Sequence, residues 1–373
     1  MSFVSRTAKR LAKLILAPVI HIIASTPAGR RYFQRRVYRQ RVEATCSLIL
    51  ADVLKRARHE YEEEKPTCAT WEQYEEAYRK YQVEYSEFFH QCELWNKSPR
   101  EIEEFVIRTK MRLFYLRTLP EEVRMMFWDK VKFLEAFPEH IHRRWLHVRK
   151  SRPTEFKELV MAVDCIAKPL ANSLGIGIFK IRKDDITDVE KLYEQCVQDD
   201  ILIEECICGC RELQQFHPES LNSIRVVTIG NERAGEVFGA FFRIGVGDSI
   251  IDNAHSGGVF ATINVETGII ETEAIDTSGH SFALHPDTGV PIKGFRIPEW
   301  EKIKETCLTA ARKYKGVFIV GWDVVLGPEH EVIFVEGNHG PDFDVMQSPR
   351  KTGVRHRLQQ VVAKYHGNRI KIP

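Results

Sequence analysis

Residues 317–343 read VFIVGWDVVLGPEHEVIFVEGNHGPDF. Two apolar runs, Phe318–Trp322 and Val332–Val335, flank the polar turn GPEHE, the pattern of an antiparallel hairpin. The first run leads into Asp323 and the second into Glu336, with Asn338 two residues on. Residues at i and i+2 of a strand share a face, so Glu336 and Asn338 point the same way, and a hairpin brings Asp323 beside them. Three hard oxygen donors without His or Cys suit Mg²⁺, which in such sites also holds nucleotide phosphates. Read alone, the same charges would also serve as the polar ends of a solvated hairpin.

The composition limits what surrounds this hairpin. A chain of 373 residues buries a full core and has room for two or three lobes. The net charge of +2 conceals an asymmetry: residues 1–41 hold ten Lys or Arg and no Asp or Glu. The rest carries 44 Lys and Arg against 52 Asp and Glu, a balance of −8. The body therefore lacks the basic surface of a nucleic-acid binder. Nine cysteines are scattered without a CxxC pair. Cys206, Cys208 and Cys210 have strand spacing and no second half, so zinc is not expected and reduced thiols of a cytoplasmic protein are.

The first 41 residues combine an apolar run (Leu11–Ala24, broken by Lys13, Pro18 and His21) with an arginine cluster from Arg30 to Arg41. The run is too short for a bilayer, which needs about 20 apolar residues, and Ala24-Ser25-Thr26-Pro27 is a poor signal cleavage site. Two readings stand: a helical hairpin packed on the body, or a basic arm lying on an anionic inner membrane face.

Residues 42–150 read as helices. Val42–Glu64 lacks Gly and Pro, Thr70 caps a stretch running to Trp95, and Ser98-Pro99 opens a third helix. The aromatics Tyr74, Tyr78, Tyr81, Tyr85, Phe88 and Phe89 recur at helical spacing, as a packing stripe does. Asp129-Lys130 opens a helix that ends near Pro138. From Leu159 the pattern turns to short β-runs: Leu159–Val163, Asp164–Pro169, a glycine-containing loop around Gly175, and a returning strand to Ile181. Backbone N–H groups of such a loop approach phosphates, although a plain hairpin turn has the same composition. A helix over Asp188–Gln198, capped by Thr187, precedes the strand Asp200–Ile207. Strands at Ile224–Ile229 and Glu236–Arg243 follow, then a polar loop with Asn253 and His255, a hairpin from Val259, and a helix over Glu301–Lys315. The loop Asp276–Phe295 has no periodicity, as suits a functional surface. An amphipathic helix covers Val354–His366.

The order of these stretches resembles the ATP-grasp superfamily. A Lys-Pro strand with a glycine loop comes first, then a strand bearing Glu-Glu, an Arg-bearing strand, and Asp with Glu-x-Asn on paired strands. The finer similarity is to the sugar-transfer-associated ATP-grasp family, through LNSIRVVT (221–228), GG at 257–258, HPDTGVPIKGFRIPEW (285–300), GWDVVL (321–326) and VEGNHGPDFDVMQ (335–347). It spans residues 125–350. The resemblance implies an α+β ATP-grasp fold, two α+β lobes gripping ATP, behind a helical N-terminal region. The expected divisions are a basic arm over 1–41, a helical domain over 42–120, a small lobe over 121–215, and a C-terminal lobe with the Mg²⁺ site over 216–373. The helical 42–120 segment departs from the βαβ-type domain of many relatives.

The resemblance also assigns roles. Lys168, and Lys130 as a second lysine, would hold the nucleotide's phosphates, with Gly175 in the covering loop. Glu205 or its neighbour Glu204 would meet the adenine, and Glu212 the ribose hydroxyls. Arg225 would stabilise the transferring phosphoryl group, and Asp323, Glu336 and Asn338 would hold magnesium, two ions being usual. Arg243 is a candidate carboxylate clamp, and Asn253 and His255 candidates for the phosphate or acceptor side; for His255, His280, His285 and His339 structural hydrogen bonding is the competing role. The implied activity is an ATP-dependent carboxylate–amine ligase working through an acyl phosphate on a small molecule, peptide or saccharide. A phosphotransferase, or a non-catalytic nucleotide-binding membrane scaffold, are the alternatives. Neither the acceptor nor the oligomeric state is legible.

Overall fold

The computed structural model describes residues 27–171, 177–249, 252, 257–314 and 316–373. Two compact units divide at residue 58. The first is dominated by a helix that starts at Pro27 and runs on to Glu64. Arg36, Arg39 and Arg41 on it are exposed. Among the described residues no helix is long and apolar enough to cross a membrane. Most of the basic arm lies outside the described residues.

In the second unit the stretch from Thr70 to Trp95 is not one helix. Trp71–Tyr81 is helical, capped by Thr70 with Gln73 completing the box, and stops where Gln82 turns left-handed. A five-residue π-helical turn, Glu87–Gln91, follows. The aromatic stripe is core: Tyr74, Tyr78, Tyr81, Tyr85, Phe88 and Phe89 are all buried, and Tyr74 contacts Tyr85, Phe88 and Phe89. Ser98 and Glu101 cap a single turn, Pro99–Ile102.

A small antiparallel sheet orders its strands β1-β4-β2-β3, where β1 is Trp145–His147, β2 Cys165–Pro169, β3 Phe179–Ile181 and β4 Ile201–Glu205. The helices Pro153–Ala162 and Val189–Gln198 pack on it around Val148, Phe156, Leu159, Val160 and Ile203. Leu159–Val163 is therefore not a strand. Pro153 at the helix start, Glu155 in a capping box and buried Phe156, Leu159 and Val160 make it the end of a helix. Its short apolar run fits either period, and the upstream cap decides. Asp188 rather than Thr187 caps the second helix, accepting from the Lys191 N–H.

The large sheet has β5 (Ile224–Gly230), β6 (Gly235–Ile244), β7 (Val259–Ile263), β8 (Ala274–Ile275), β9 (Ser281–Phe282), β10 (Ile319–Leu326) and β11 (Val332–Asn338). Its order is β11-β10-β5-β6-β7-β8-β9, with every neighbouring pair antiparallel. One face packs on the helix Trp300–Arg312 and the helices between 121 and 136 around Trp322, Phe334 and Phe242. The other holds Val227, Ile229, Phe241 and Phe260 against Tyr115, Phe343, Leu358 and Val362. Helices on both faces of an antiparallel sheet, beside a second α+β lobe, give the α+β architecture expected. The loop Asp276–Phe295 is ordered by His285, buried with its Nε2 2.8 Å from the Gly245 carbonyl.

Candidate nucleotide and metal site

Strand register places the acidic hairpin. Asp323 lies directly opposite Glu336 on β11 and opposite Arg225 on β5, and Arg225 lies opposite Phe241. Directly paired residues share a face, so Glu336, Asp323 and Arg225 form one row across three strands. Arg243, two residues beyond Phe241 on β6, joins the same face. Gly337, between Glu336 and Asn338, lets the strand lie against aromatic rings: a Cβ there would fall 2.6 Å from Phe133 Cε2.

Asp323 is 1% exposed and holds two guanidinium groups. Arg225 donates to both its oxygens (Nη2 to Oδ2, 2.7 Å), and Arg243 Nη2 reaches Oδ2 at 2.9 Å. Burial works to raise its pKa, but Arg225 and Arg243 hold it at about 2. Glu336 differs. Protein mass surrounds it, yet its side chain is 50% exposed. Burial and the neighbouring Asp323, within hydrogen-bonding reach, push its pKa up. Asn338 Nδ2 lies 3.1 Å from Glu336 Oε1. Arg243 also donates to Ser223 Oγ (2.6 and 3.0 Å), and the Ser223 N–H donates to Asp252 Oδ2.

This donor set fits a hard divalent cation. Two carboxyls close enough to share a proton are a like-charge pair, and a cation relieves that repulsion by replacing the proton. Glu336 and Asn338 are the open donors, while Asp323 is shared with the arginines.

The small sheet contributes the facing groups. Lys168 on β2 and Glu204 on β4 lie diagonally across the pair, with Lys168 Nζ 2.6 Å from Glu204 Oε1. Glu204 also receives Arg143 Nε, whose Nη1 donates to the Phe334 carbonyl at 2.8 Å and whose Nη2 donates to Val335 at 3.3 Å. Glu204 is 2% exposed, and although burial raises its pKa, Arg143 and Lys168 hold it at about 2. Its carboxylate is thus committed to an internal ion pair that ties the small sheet to β11. Glu205 points outward, accepting from the Arg144 N–H and Nε. Lys130 Nζ lies 3.4 Å from the Pro169 carbonyl, and both Glu336 and Lys168 are within electrostatic reach. Burial lowers its pKa.

Glu212 sits at the far end of the hairpin, 3.2 Å from His330 in the β10–β11 turn. Cys210, Glu212 and His330 place one ligand atom each within 4.8 Å of one another. Gly175, Asn253 and His255 lie outside the described residues. His280 pairs with Asp276, and burial lowers the His339 pKa to about 4, with Arg124 adding to it.

The structure therefore brings together Arg225, Arg243, Asp323, Glu336 and Asn338 on one sheet, and Lys168, Lys130 and Glu204 beside them. Sequence reasoning passed over Arg143, Ser223 and Asp252. Arg143 had a weak signal, the charged pair Arg143-Arg144 just before an edge strand; Ser223 and Asp252 had none, because their roles depend on loop closure.

Solved structures of related shape include the ATP-grasp ligase PsnB with a phosphomimetic variant of its minimal precursor, Mg and ADP (14% identity, TM-score 0.42, 69% of this chain and 66% of that one). Others are a Chryseobacterium gregarium RiPP-associated ATP-grasp ligase with ADP and a leader and core peptide (13%, 0.39, 68% and 64%) and the D-cycloserine synthetase DcsG (9%, 0.40, 69% and 76%). The chain spans just under two thirds of the PsnB chain. A search of curated proteins finds no match. The family model for sugar-transfer associated ATP-grasp proteins matches residues 147–363, more than half of the chain and all of the site just described apart from Lys130 and Arg143. With that match the chain belongs to the sugar-transfer-associated ATP-grasp family.

Proposed function

We propose that the protein is an ATP-dependent, ADP-forming carboxylate–amine ligase. The observation that carries this reading is the row Glu336–Asp323–Arg225, exposed at Glu336, with Lys130 within electrostatic reach of both Glu336 and Lys168. Glu212 meets His330 in the turn before β11, and Glu336 lies near the other end of that strand. In this reading the ribose lies at Glu212 and the phosphates at Glu336.

In this reading Lys168 and Lys130 bind the inner phosphates as point charges, and the chain from Glu205 onward meets the adenine. Glu336, Asn338 and Asp323 would hold Mg²⁺, one ion or two, which supplies neutralisation of the triphosphate when bound. Arg225, fixed by Asp323, presents a guanidinium where charge develops on the transferred phosphoryl group. A substrate carboxylate oxygen attacks the γ-phosphorus and ADP leaves. An amine then attacks the acyl carbon of the acyl phosphate, phosphate departs, and the amine's proton passes to solvent. Catalysis comes from positioning and charge, with no covalent enzyme intermediate. Residues 121–215 would form the small lobe and 216–373 the C-terminal lobe, in a cytoplasmic protein.

The test is ADP release from MgATP across amino acids, short peptides and uronic acids, with mass spectrometry of the products. Amide formed in step with ADP supports ligation. A phosphorylated product that needs no amine would instead establish a phosphotransferase.

A further inference from the structure

Residues 84–109, part of the helical segment preceding the ATP-grasp lobes, meet the loop after β11 in a second charged cluster. Arg108 is at its centre, with Nη2 on Asp344, Nη1 3.4 Å from Glu84 Oε2 and Nε 3.9 Å from Asp342 Oδ1. Glu84 is held by the Thr109 hydroxyl at 3.0 Å. Glu87, in the π-helical turn, accepts the backbone N–H groups of Glu84 and Arg108. Burial and Glu84 push the Glu87 pKa up, which favours its protonated form. Even with Glu87 neutral, three carboxylates gather around Arg108, and the one other guanidinium acting on Asp342, Arg225, is already held by Asp323.

Two features of this cluster bear on what it can bind. Asp344 is fully buried, and its Oδ1 has no hydrogen-bond partner although Oδ2 is on Arg108. A buried carboxylate oxygen left unpaired is costly, and it keeps uncompensated negative charge behind Asp342. Asp342, by contrast, is 50% exposed. Asp342 and Glu336 both act electrostatically on Arg225, so the cluster adjoins the acidic row. Excess negative charge with one carboxylate facing open space attracts a cation, and here that space lies beside the proposed phosphoryl-transfer position.

We propose that Asp342, backed by Glu84 and Asp344, is a cation subsite that takes an ammonium or guanidinium group of the acceptor. The helical segment would then replace a βαβ-type domain as the wall of the acceptor site. Calling the ligand an acceptor rests on the ATP-site reading; the affinity for a cation does not.

Saturation-transfer NMR on the full chain tests this with three probes of one length: cadaverine, 1,5-pentanediol and glutarate. Saturable binding of cadaverine alone, weakened at least tenfold in Asp342→Asn with an unchanged melting temperature, is expected. No cadaverine binding to the unaltered protein, or equal binding to Asp342→Asn, overturns the proposal. MgADP binding, measured in parallel, separates the two readings. If MgADP binds and cadaverine does not, only the subsite falls; if cadaverine binds as expected and MgADP does not, the nucleotide site falls and the cation site stands.

Discussion

Replacing Glu204 by Gln removes the charge that holds the small sheet to the hairpin. In the folded protein its pKa is about 2 against an ordinary 4.5, a difference of about 2.5 units. At about 1.4 kcal/mol per unit this is roughly 3 kcal/mol. Breaking a buried ion pair by removing one partner typically costs about 3–5 kcal/mol, the same order. No discount for solvent screening applies, since the Glu204 side chain is 3% exposed and that of Arg143 2%. The sign follows from linkage. A depressed carboxylate pKa stabilises fully above the unfolded value and is lost as pH falls through the folded one. The stability gap between the natural protein and Glu204→Gln, from urea unfolding, is therefore expected to be flat from pH 7 to 5. It should then narrow below pH 4.5 towards pH 2. A gap under about 1 kcal/mol at pH 7, or one that does not change in acid, would refute the idea that this ion pair carries the junction.

Three other outcomes follow from the same geometry. Glu336→Ala should abolish Mg²⁺-dependent ADP release while shifting the melting temperature by only a few degrees, because a half-exposed side chain holds little of the core; substantial remaining turnover would remove Glu336 from the metal site. Gly337→Ala should destabilise by about 1–3 kcal/mol in thermal or urea unfolding, the cost of overpacking against Phe133 and Phe127. A neutral result would mean those rings move aside freely. Deleting residues 1–41 should reduce cosedimentation with anionic vesicles and not with neutral ones, since ten cations leave with the segment; unchanged cosedimentation would leave the arm a packing role alone.

Much of this protein was legible from its residues in order. The hairpin 317–343, its polar turn, the strand bearing Arg225 and the Lys-Pro strand announced themselves because alternation and turn chemistry are local. Lys130 lies within electrostatic reach of Lys168 and Glu336. Local signals misled where they were short. Leu159–Val163 fits two periods, and the Thr70–Trp95 stretch hid the break at Gln82.

What the tertiary structure alone decided is pairing. Sequence placed Glu204 and Glu205 side by side as equal candidates; register turned one inward to Arg143 and Lys168 and left the other at the surface with Arg144. It set Asp323 between two arginines that lie 98 and 80 residues away in the chain. It also joined Arg108 to Asp344 across 236 residues, making one acidic cluster from segments that looked unrelated. Strand alternation is written in neighbouring residues, so a sequence states it directly. The partner of a charge is fixed only when distant strands come into register and water is excluded between them, and no local pattern encodes that.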